Sequence, residues 1–175
     1  MSPNHVDMVV YIDGACLGNG SPGAIGGVGV YFRPNDKRNY SGPLPGSIQT
    51  NQRADLEAIY QALVILKDSL HEFYDSCVYI CNNGHKHIYR HSVVIKTDSQ
   101  YSINCVTNWS QKWRRNGWVN KMGNPEANAD LVQEILELMD TTDNDVYLEY
   151  VPGHSNIPGN IAAHDLASVG ARGHH

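Results

Sequence analysis

No apolar run in this 175-residue chain approaches the roughly 20 residues of a membrane-spanning helix, so we predict no transmembrane segment. The four cysteines are scattered, and a chain of this length can bury enough surface to fold without disulfides. We therefore expect reduced thiols and a cytoplasmic or nuclear location. The first residues lead at once into an apolar strand, so we expect no signal or transit peptide in the sequence.

Positive charge is also scarce. The chain has 13 Lys and Arg residues against 18 Asp and Glu residues, which gives a net charge of −5. This balance is opposite to the basic footprint of a typical nucleic-acid-binding domain. Residues 109–121 are an exception, because they combine four basic side chains and all three tryptophans without any acid (Lys112, Arg114, Arg115, Lys121, Trp109, Trp113 and Trp118). The stretch suits either a groove beside a nucleic-acid backbone or an amphipathic segment packed in the core.

Hydrophobic periodicity predicts both strands and helices. We expect a buried strand at 8–12 that ends at Asp13-Gly14, then antiparallel strands at 24–32 and 38–44. Later strands are predicted at 93–97 and 146–151. Helices are predicted from the recurrence of Leu56, Ile59, Leu63 and Leu66, from 99 or 100 toward 113, at 128–139 and at 160–169. The order indicates one α/β domain over 1–175, with a mixed five-stranded sheet flanked by helices and an insertion around 70–91.

The insertion contains metal-capable side chains at irregular spacing (Cys77, Cys81, His85, His87 and His91). Cys and His are the usual zinc ligands. This spacing is not one of the standard finger patterns, so we favour a surface insertion with solvated histidines and keep zinc binding as the alternative.

Three acidic residues fall at the predicted edges of these elements. Asp13 follows the first strand, Asp98 follows the strand at 93–97, and Asp55 lies on the core-facing side near the start of a helix. Each has an ordinary explanation alone, because Asp-Gly is a common turn and an acid near a Ser cap suits a helix start. Together they would repel one another unless a cation were bound, and hard cations such as Mg²⁺ take oxygen ligands.

Four segments, in their order along the chain, resemble ribonuclease H of the type 1, eukaryotic-like family. They are Tyr-Ile-Asp13-Gly, Arg-Ala-Asp55-Leu-Glu-Ala, Lys-Thr-Asp98-Ser and the stretch from Pro-Gly-His154-Ser to Ala-Ala-His164-Asp165. The resemblance covers about residues 8–171. It implies the ribonuclease H-like fold and an endonuclease that hydrolyses the RNA strand of RNA/DNA hybrids. It also implies Mg²⁺ or Mn²⁺ as cofactor, in a two-metal site.

The resemblance further implies which side chains carry the chemistry. Two positions depart from the family's Asp, Glu, Asp, Asp set, because Asp replaces Glu at the second position and His replaces Asp at the fourth. Glu57 and Asp165 would point to other sides of their helices and do not substitute. Imidazole suits Mn²⁺ better than Mg²⁺. The implied catalytic residues are four metal ligands and a mobile-loop histidine: Asp13, Asp55, Asp98 and His164, then His154.

Nucleic-acid contacts are implied in the same way, at Asn19, Thr50, Asn51, Gln52, Trp109, Trp113 and Asn128. The first Asn and the Asn-Gln pair match residues that contact the RNA strand, where 2′-hydroxyls both donate and accept. Thr50 and Asn128 match a DNA phosphate pocket, although the family's basic residue just before Thr50 is absent. The altered catalytic set leaves an alternative, a catalytically impaired ribonuclease H that acts as a hybrid-binding or protein-interaction module. The retained binding residues favour an enzyme, and we expect a monomer without membrane association.

Overall fold

The computed structural model describes residues 5–70, 78–88, 90–142 and 144–173. Its strands and helices follow in this order: β1 (Met8–Leu17), β2 (Ile25–Tyr31), β3 (Tyr40–Pro43), α1 (Asn51–Leu70), β4 (Val78–Ile80), β5 (Lys86–Ile88), β6 (Ser92–Thr97), α2 (Gln100–Asn104), a π-helical segment (Cys105–Trp109), α3 (Ser110–Arg115), α4 (Ala129–Thr141), β7 (Asp145–Tyr150) and α5 (Pro158–Arg172).

The main sheet has five strands in the order β3–β2–β1–β6–β7. The first three strands pair antiparallel, whereas β6 runs parallel to β1 and β7 runs parallel to β6. The predicted mixed five-stranded sheet is therefore confirmed. Because β1 and β6 are parallel neighbours whose pairing stops at Tyr11, Asp13 lies just beyond this pairing on β1, and Asp98 directly follows the end of β6.

Alternate residues of β2 face opposite sides of the sheet, and each side packs against different helices. Val28 and Val30 are fully buried in the main hydrophobic core together with residues of α1 and α4. Gly27 and Gly29 face α5, and a Cβ atom on either would lie only 2.1–2.2 Å from the α5 backbone. Because these two residues have no side chains, α5 lies directly on the sheet. This close packing sets the distance between the sheet and the residues of α5.

Two predicted boundaries were wrong, and one helix contains an irregularity that was not predicted. The first strand does not end at Asp13-Gly14, because its antiparallel pairing with β2 continues as far as Leu17 opposite Ile25. Its parallel pairing with β6 does stop at Tyr11, so Asp13 lies where β1 leaves β6. The last helix is longer than predicted and has 15 residues. The helix that begins after Ser99 contains a π-helical segment that the periodicity did not indicate.

The predicted insertion contains an antiparallel hairpin of β4 and β5. In the turn, the Cys81 thiol contacts the Asn83 carboxamide oxygen and donates to the backbone carbonyl of His85 at 3.3 Å. Cys77 and the His87 side chain lie outside the described residues, so zinc binding by this segment stays a prediction. None of the helices in the described ranges combines the length and apolar character needed to cross a bilayer.

Candidate active site

A cavity of about 200 Å³ opens at the edge of the sheet where β1 leaves β6. Four separate parts of the chain contribute the predicted catalytic side chains to its lining: Asp13, Asp55, Asp98, His154 and His164. The lining is completed by Gly14, Asn51, Ser155, Asn160 and Ile161. Glu57 and Asp165 do not line the cavity. The structure thus brings together the five residues that the sequence indicated, including His164 rather than its acidic neighbour.

Gly14 joins the first two carboxylates. Its backbone N–H lies 2.9 Å from Asp13 Oδ1 and 2.9 Å from Asp55 Oδ1, so one donor serves both side chains. A Cβ atom at this position would lie 2.4 Å from the backbone of Ala54 and Asp55. Only glycine therefore lets β1 approach the start of α1 closely enough for this arrangement. The sequence indicated Gly14 only as part of a turn, because the close approach depends on the tertiary packing of α1.

Burial makes this pair of carboxylates costly to ionise. Burial and the nearby charge of Asp98 raise the pKa of Asp13 to about 6, although the hydrogen bond from His164 opposes the change. Burial and the charge of Asp13 raise the pKa of Asp55 to about 8, against hydrogen bonds from Gly14 and Ser99. Ionising both carboxyl groups would thus place more negative charge in the cavity than the hydrogen bonds from Gly14, Ser99 and His164 offset. A bound cation would remove this cost.

His164 provides a close hydrogen-bond partner for Asp13. Its Nδ1 atom lies 2.7 Å from Asp13 Oδ2, while its side chain is 55% exposed. The imidazole thus lies at the mouth of the cavity with one nitrogen engaged. Asp13 uses both oxygens, one toward Gly14 and one toward His164.

Asp98 is positioned by the loop that follows β7. Gly153 passes so close to this carboxyl group that a Cβ atom would lie 2.7 Å from Asp98 Oδ2. The next residue, His154, is exposed and has a positive φ of 54°, an unusual backbone conformation for a non-glycine residue. The loop therefore places His154 in the lining of the cavity that also contains Asp98.

Asn160 adds a possible metal-binding oxygen that the sequence did not indicate. The residue is 4% exposed, lines the cavity one turn before His164 on α5, and its Oδ1 atom has no hydrogen-bond partner among the described residues. A buried carboxamide oxygen is costly unless it accepts a hydrogen bond or binds a cation. Asn160 could have been suspected from its spacing of four residues before His164, but its burial could not.

The chemistry of this donor set fits a divalent cation. Three carboxylates, an imidazole and an unpartnered buried carbonyl oxygen converge on one small cavity, and hard cations bind oxygen ligands. These residues suit a cation by their type and charge. Their positions differ from those of a preformed metal site, because no group of three or more His, Cys, Asp or Glu side chains in the described ranges has that arrangement.

The predicted RNA-contacting residues lie beside this cavity. The backbone N–H of Asn51 donates to Asn19 Oδ1 at 3.1 Å, and Asn51 lines the cavity. Gln52 follows in the first turn of α1 and is exposed. Asn19 is thus held at the start of α1, where Asn51 and Gln52 also lie.

The predicted DNA-phosphate residues Thr50 and Asn128 both contact Arg53, near the start of α1. Thr50 Oγ1 accepts from the backbone N–H of Arg53 at 3.2 Å. Arg53 in turn donates to Asn128 Oδ1 at 3.4 Å and makes two bonds to the Asp130 carboxylate, at 2.9 and 2.7 Å. Asn128 precedes α4 with a positive φ of 60°. Arg53 therefore links both predicted phosphate-binding residues, which the sequence did not indicate.

The three tryptophans pack in series rather than forming one open surface. Trp113 is only 9% exposed and belongs to the hydrophobic core, with ring centroids 5.9 Å from Trp109 and 6.1 Å from Trp118. Trp109 is 39% exposed and meets Tyr101 edge-on at 5.8 Å. Direct contact with nucleic acid is thus open to Trp109, and Trp113 supports it from the core. The four basic side chains of 109–121 are exposed.

The chain is similar to known proteins over nearly its whole length. The RNase H family profile matches residues 5–172. A ribonuclease H of Schizosaccharomyces pombe is 40% identical over 93% of this chain, which spans about half (52%) of that protein. A ribonuclease H of Polynucleobacter asymbioticus is 34% identical over 95% of this chain and 91% of that protein.

Solved structures show the same relationship. The structure of LC9-RNase H1, described as a type 1 RNase H with the type 2 active-site motif, superimposes with a TM-score of 0.66 at 28% identity, over 96% of this chain and 73% of that one. The resemblance indicated by the four sequence motifs is confirmed. The chain belongs to the ribonuclease H family, type 1.

Proposed function

We propose that this chain is an endonuclease that hydrolyses the RNA strand of RNA/DNA hybrids with the help of Mg²⁺ or Mn²⁺. The observation that carries the proposal is the convergence of Asp13, Asp55, Asp98 and His164 on one cavity at the edge of the sheet. The names and coverage of the bacterial and yeast relatives support the reaction. A raised pKa at both Asp13 and Asp55 supports a cation-dependent site.

Each side chain has a definable task in this reaction. Divalent cations held here would lower the pKa of bound water and stabilise the leaving 3′ oxygen. Asp13 and Asp98 are the carboxylates best placed to hold them, because Asp13 lies where β1 leaves β6 and Asp98 directly follows β6. Asp55 has a shorter reach than Glu, and the Gly14 N–H fixes its carboxylate against β1. His164 pairs with the Asp13 oxygen that faces it, so cation binding and this contact compete for one atom.

His154 is suited to moving a proton or releasing product. It lines the cavity from a loop whose Gly153 lies against Asp98, so the imidazole shares one site with the carboxylates. An imidazole can both accept and donate a proton through its ring nitrogens, which matches the need to protonate a leaving oxygen.

The substrate surface runs from the cavity in two directions. Asn19, Asn51 and Gln52 border the cavity and offer amide donors and acceptors suited to ribose 2′-hydroxyls. Thr50, Asn128 and Trp109 lie toward α4 and the π-helical segment, and we assign them to the DNA strand. The exposed basic side chains between 112 and 121 would supply the phosphate attraction that the acidic chain otherwise lacks.

The impaired-module alternative receives no support from the described residues. A decayed catalytic site would be expected to lose its carboxylates or their supports, yet Asp13, Asp55 and Asp98 share one cavity and Gly14 still bridges two of them. The nucleic-acid residues also remain beside it.

The direct test is cleavage of a hybrid with the RNA strand labelled at its 5′ end, with Mg²⁺ and Mn²⁺ in parallel. Single-stranded RNA, duplex RNA and duplex DNA of the same sequence serve as substrate controls, and Asp98→Asn serves as the protein control. We expect internal cuts in the RNA of the hybrid alone, and none with Asp98→Asn. Hybrid binding without cleavage under either metal would contradict the proposal and favour the impaired module.

A further inference from the structure

A hydrogen-bonded chain connects α1, α2 and the start of α4 outside the catalytic cavity. Asn128 Nδ2 donates to the Tyr101 hydroxyl at 3.1 Å, and Asn128 Oδ1 accepts from Arg53 Nη1 at 3.4 Å. Arg53 is held in turn by its two bonds to Asp130. The oxygen and the nitrogen of the Asn128 carboxamide are therefore hydrogen-bonded to residues of two different helices, α1 and α2.

This arrangement fixes which end of the Asn128 carboxamide points where. A guanidinium only donates hydrogen bonds, so the oxygen of the carboxamide must face Arg53 and the nitrogen must face Tyr101. The nitrogen has two N–H groups and Tyr101 takes one of them, which leaves the second for an external acceptor. The left-handed backbone of Asn128, with φ 60° and ψ 15°, makes no side-chain cap on α4, so its carboxamide is not committed to the helix.

The ring and the hydroxyl of Tyr101 do separate things. The ring packs edge-on against Trp109 at 5.8 Å, whereas the hydroxyl reaches Asn128. Replacing Tyr101 with Phe would keep the first contact and remove only the second. The role of the hydroxyl can therefore be tested by deleting a single atom.

We infer that the Tyr101 hydroxyl is a positioning group that aims the free N–H of Asn128 at a phosphate oxygen of the bound nucleic acid. The inference rests on the proposed function only in taking Asn128 as a phosphate contact. Without the hydroxyl, the carboxamide keeps its link to Arg53 but can rotate about its side-chain bonds, so the N–H no longer has one direction. The expected result is weaker binding of the hybrid, by about 3- to 10-fold for one oriented hydrogen bond.

The experiment is a double-mutant cycle on hybrid affinity. Dissociation constants are measured by fluorescence anisotropy in EDTA for the parent, Tyr101→Phe, Asn128→Ala and the double variant, over a series of salt concentrations. We expect Tyr101→Phe to weaken binding, and the double variant to bind no more weakly than Asn128→Ala alone. The slope of log Kd against log salt should stay unchanged, because no cation is lost. In the free protein, the Asn128 side-chain amide resonances should shift in Tyr101→Phe.

A matched control removes the same atom elsewhere. Tyr31→Phe deletes a hydroxyl from β2, a strand that carries none of the candidate nucleic-acid residues, and should change neither the affinity nor the Asn128 resonances. Parent-like affinity of Tyr101→Phe overturns the inference, as does a penalty of equal size in the Asn128→Ala background. Parent-like affinity of Asn128→Ala also overturns it. Cleavage of the hybrid by the parent is scored separately, so failure of the inference and failure of the proposed function can be told apart.

Discussion

Substitution of Asp55 by Asn should stabilise the cation-free protein, and increasingly so as the pH rises. Asp55 has a pKa of 3.8 in an unstructured chain and about 8 in the fold, mainly because it is buried. Below pH 3.8 the carboxyl is protonated in both states and costs nothing. Above that value the unfolded state ionises first, so stability is lost progressively between about pH 4 and pH 8. Asn cannot ionise and avoids this loss.

The size of the effect follows from the same pKa values. A carboxyl whose pKa rises from 3.8 to about 8 lowers the free energy of unfolding by about 1.5 kcal/mol at pH 5 and about 4 kcal/mol at pH 7. The carboxamide introduced by Asp55→Asn would keep an oxygen for the Gly14 N–H, as the protonated carboxyl does below about pH 8, but its own N–H groups would need acceptors in the buried site. We therefore expect a net gain of about 1 kcal/mol at pH 5 and about 2–4 kcal/mol at pH 7.

The assay is urea unfolding in EDTA at several pH values, repeated with excess Mn²⁺. Mn²⁺ should stabilise the parent more than Asp55→Asn, because the cation relieves the same repulsion that the substitution removes. Glu57→Gln is a matched control, since Glu57 is a buried acid two residues away that does not line the cavity. It should keep the parent's full response to Mn²⁺. A gain for Asp55→Asn that is independent of pH, or an undiminished response to Mn²⁺, would refute the electrostatic account of the cavity.

Three further predictions concern catalysis and packing. Asp98→Asn should abolish hybrid cleavage while its circular dichroism spectrum stays that of the parent, and residual cleavage would remove Asp98 from the proposed metal ligands. The parent should cleave faster with Mn²⁺ than with Mg²⁺, and combining Asp55→Glu with His164→Asp should raise the rate with Mg²⁺, because Mg²⁺ prefers octahedral oxygen ligands; equal rates of the two proteins with Mg²⁺ would show that the departures do not limit metal use. Gly14→Ala should lower the free energy of unfolding by about 1–3 kcal/mol through the close contact with α1, whereas Gly23→Ala, where a Cβ atom meets nothing within 4 Å, should have little effect in the same unfolding assay.

The order of the main-sheet strands and longer helices, and the five catalytic candidates in the cavity, could be predicted from the sequence. Periodicity located the strands, and the parallel pairing of β1 with β6 brought Asp13 and Asp98 together as expected. Helical geometry distinguished His164 from Asp165, because one residue on a helix corresponds to about 100° of rotation. These features depend on local pattern and on general rules of sheet topology.

The supports of the site could not be predicted, because they depend on contacts between distant segments. The sequence predicts Gly14 to be part of a turn. Only the packing of α1 against β1 shows why no side chain fits at this position. The burial of Asn160 and the link from Arg53 to Asn128 likewise arise from tertiary packing. Trp113 lies in a segment whose composition suggests nucleic-acid binding. Its ring nevertheless packs between Trp109 and Trp118 and belongs to the core.

The central claim is that the cavity formed by Asp13, Asp55, Asp98 and His164 directs water to the RNA strand of a hybrid. The most direct measurement is the identity of the products from a hybrid labelled on both strands and incubated with Mn²⁺. We expect a cut RNA strand whose fragments end in 3′-hydroxyl and 5′-phosphate groups, and an intact DNA strand, since the proposed site stabilises a leaving 3′ oxygen. Fragments with 2′,3′-cyclic phosphate ends, cuts in the DNA, or an intact hybrid would contradict the account.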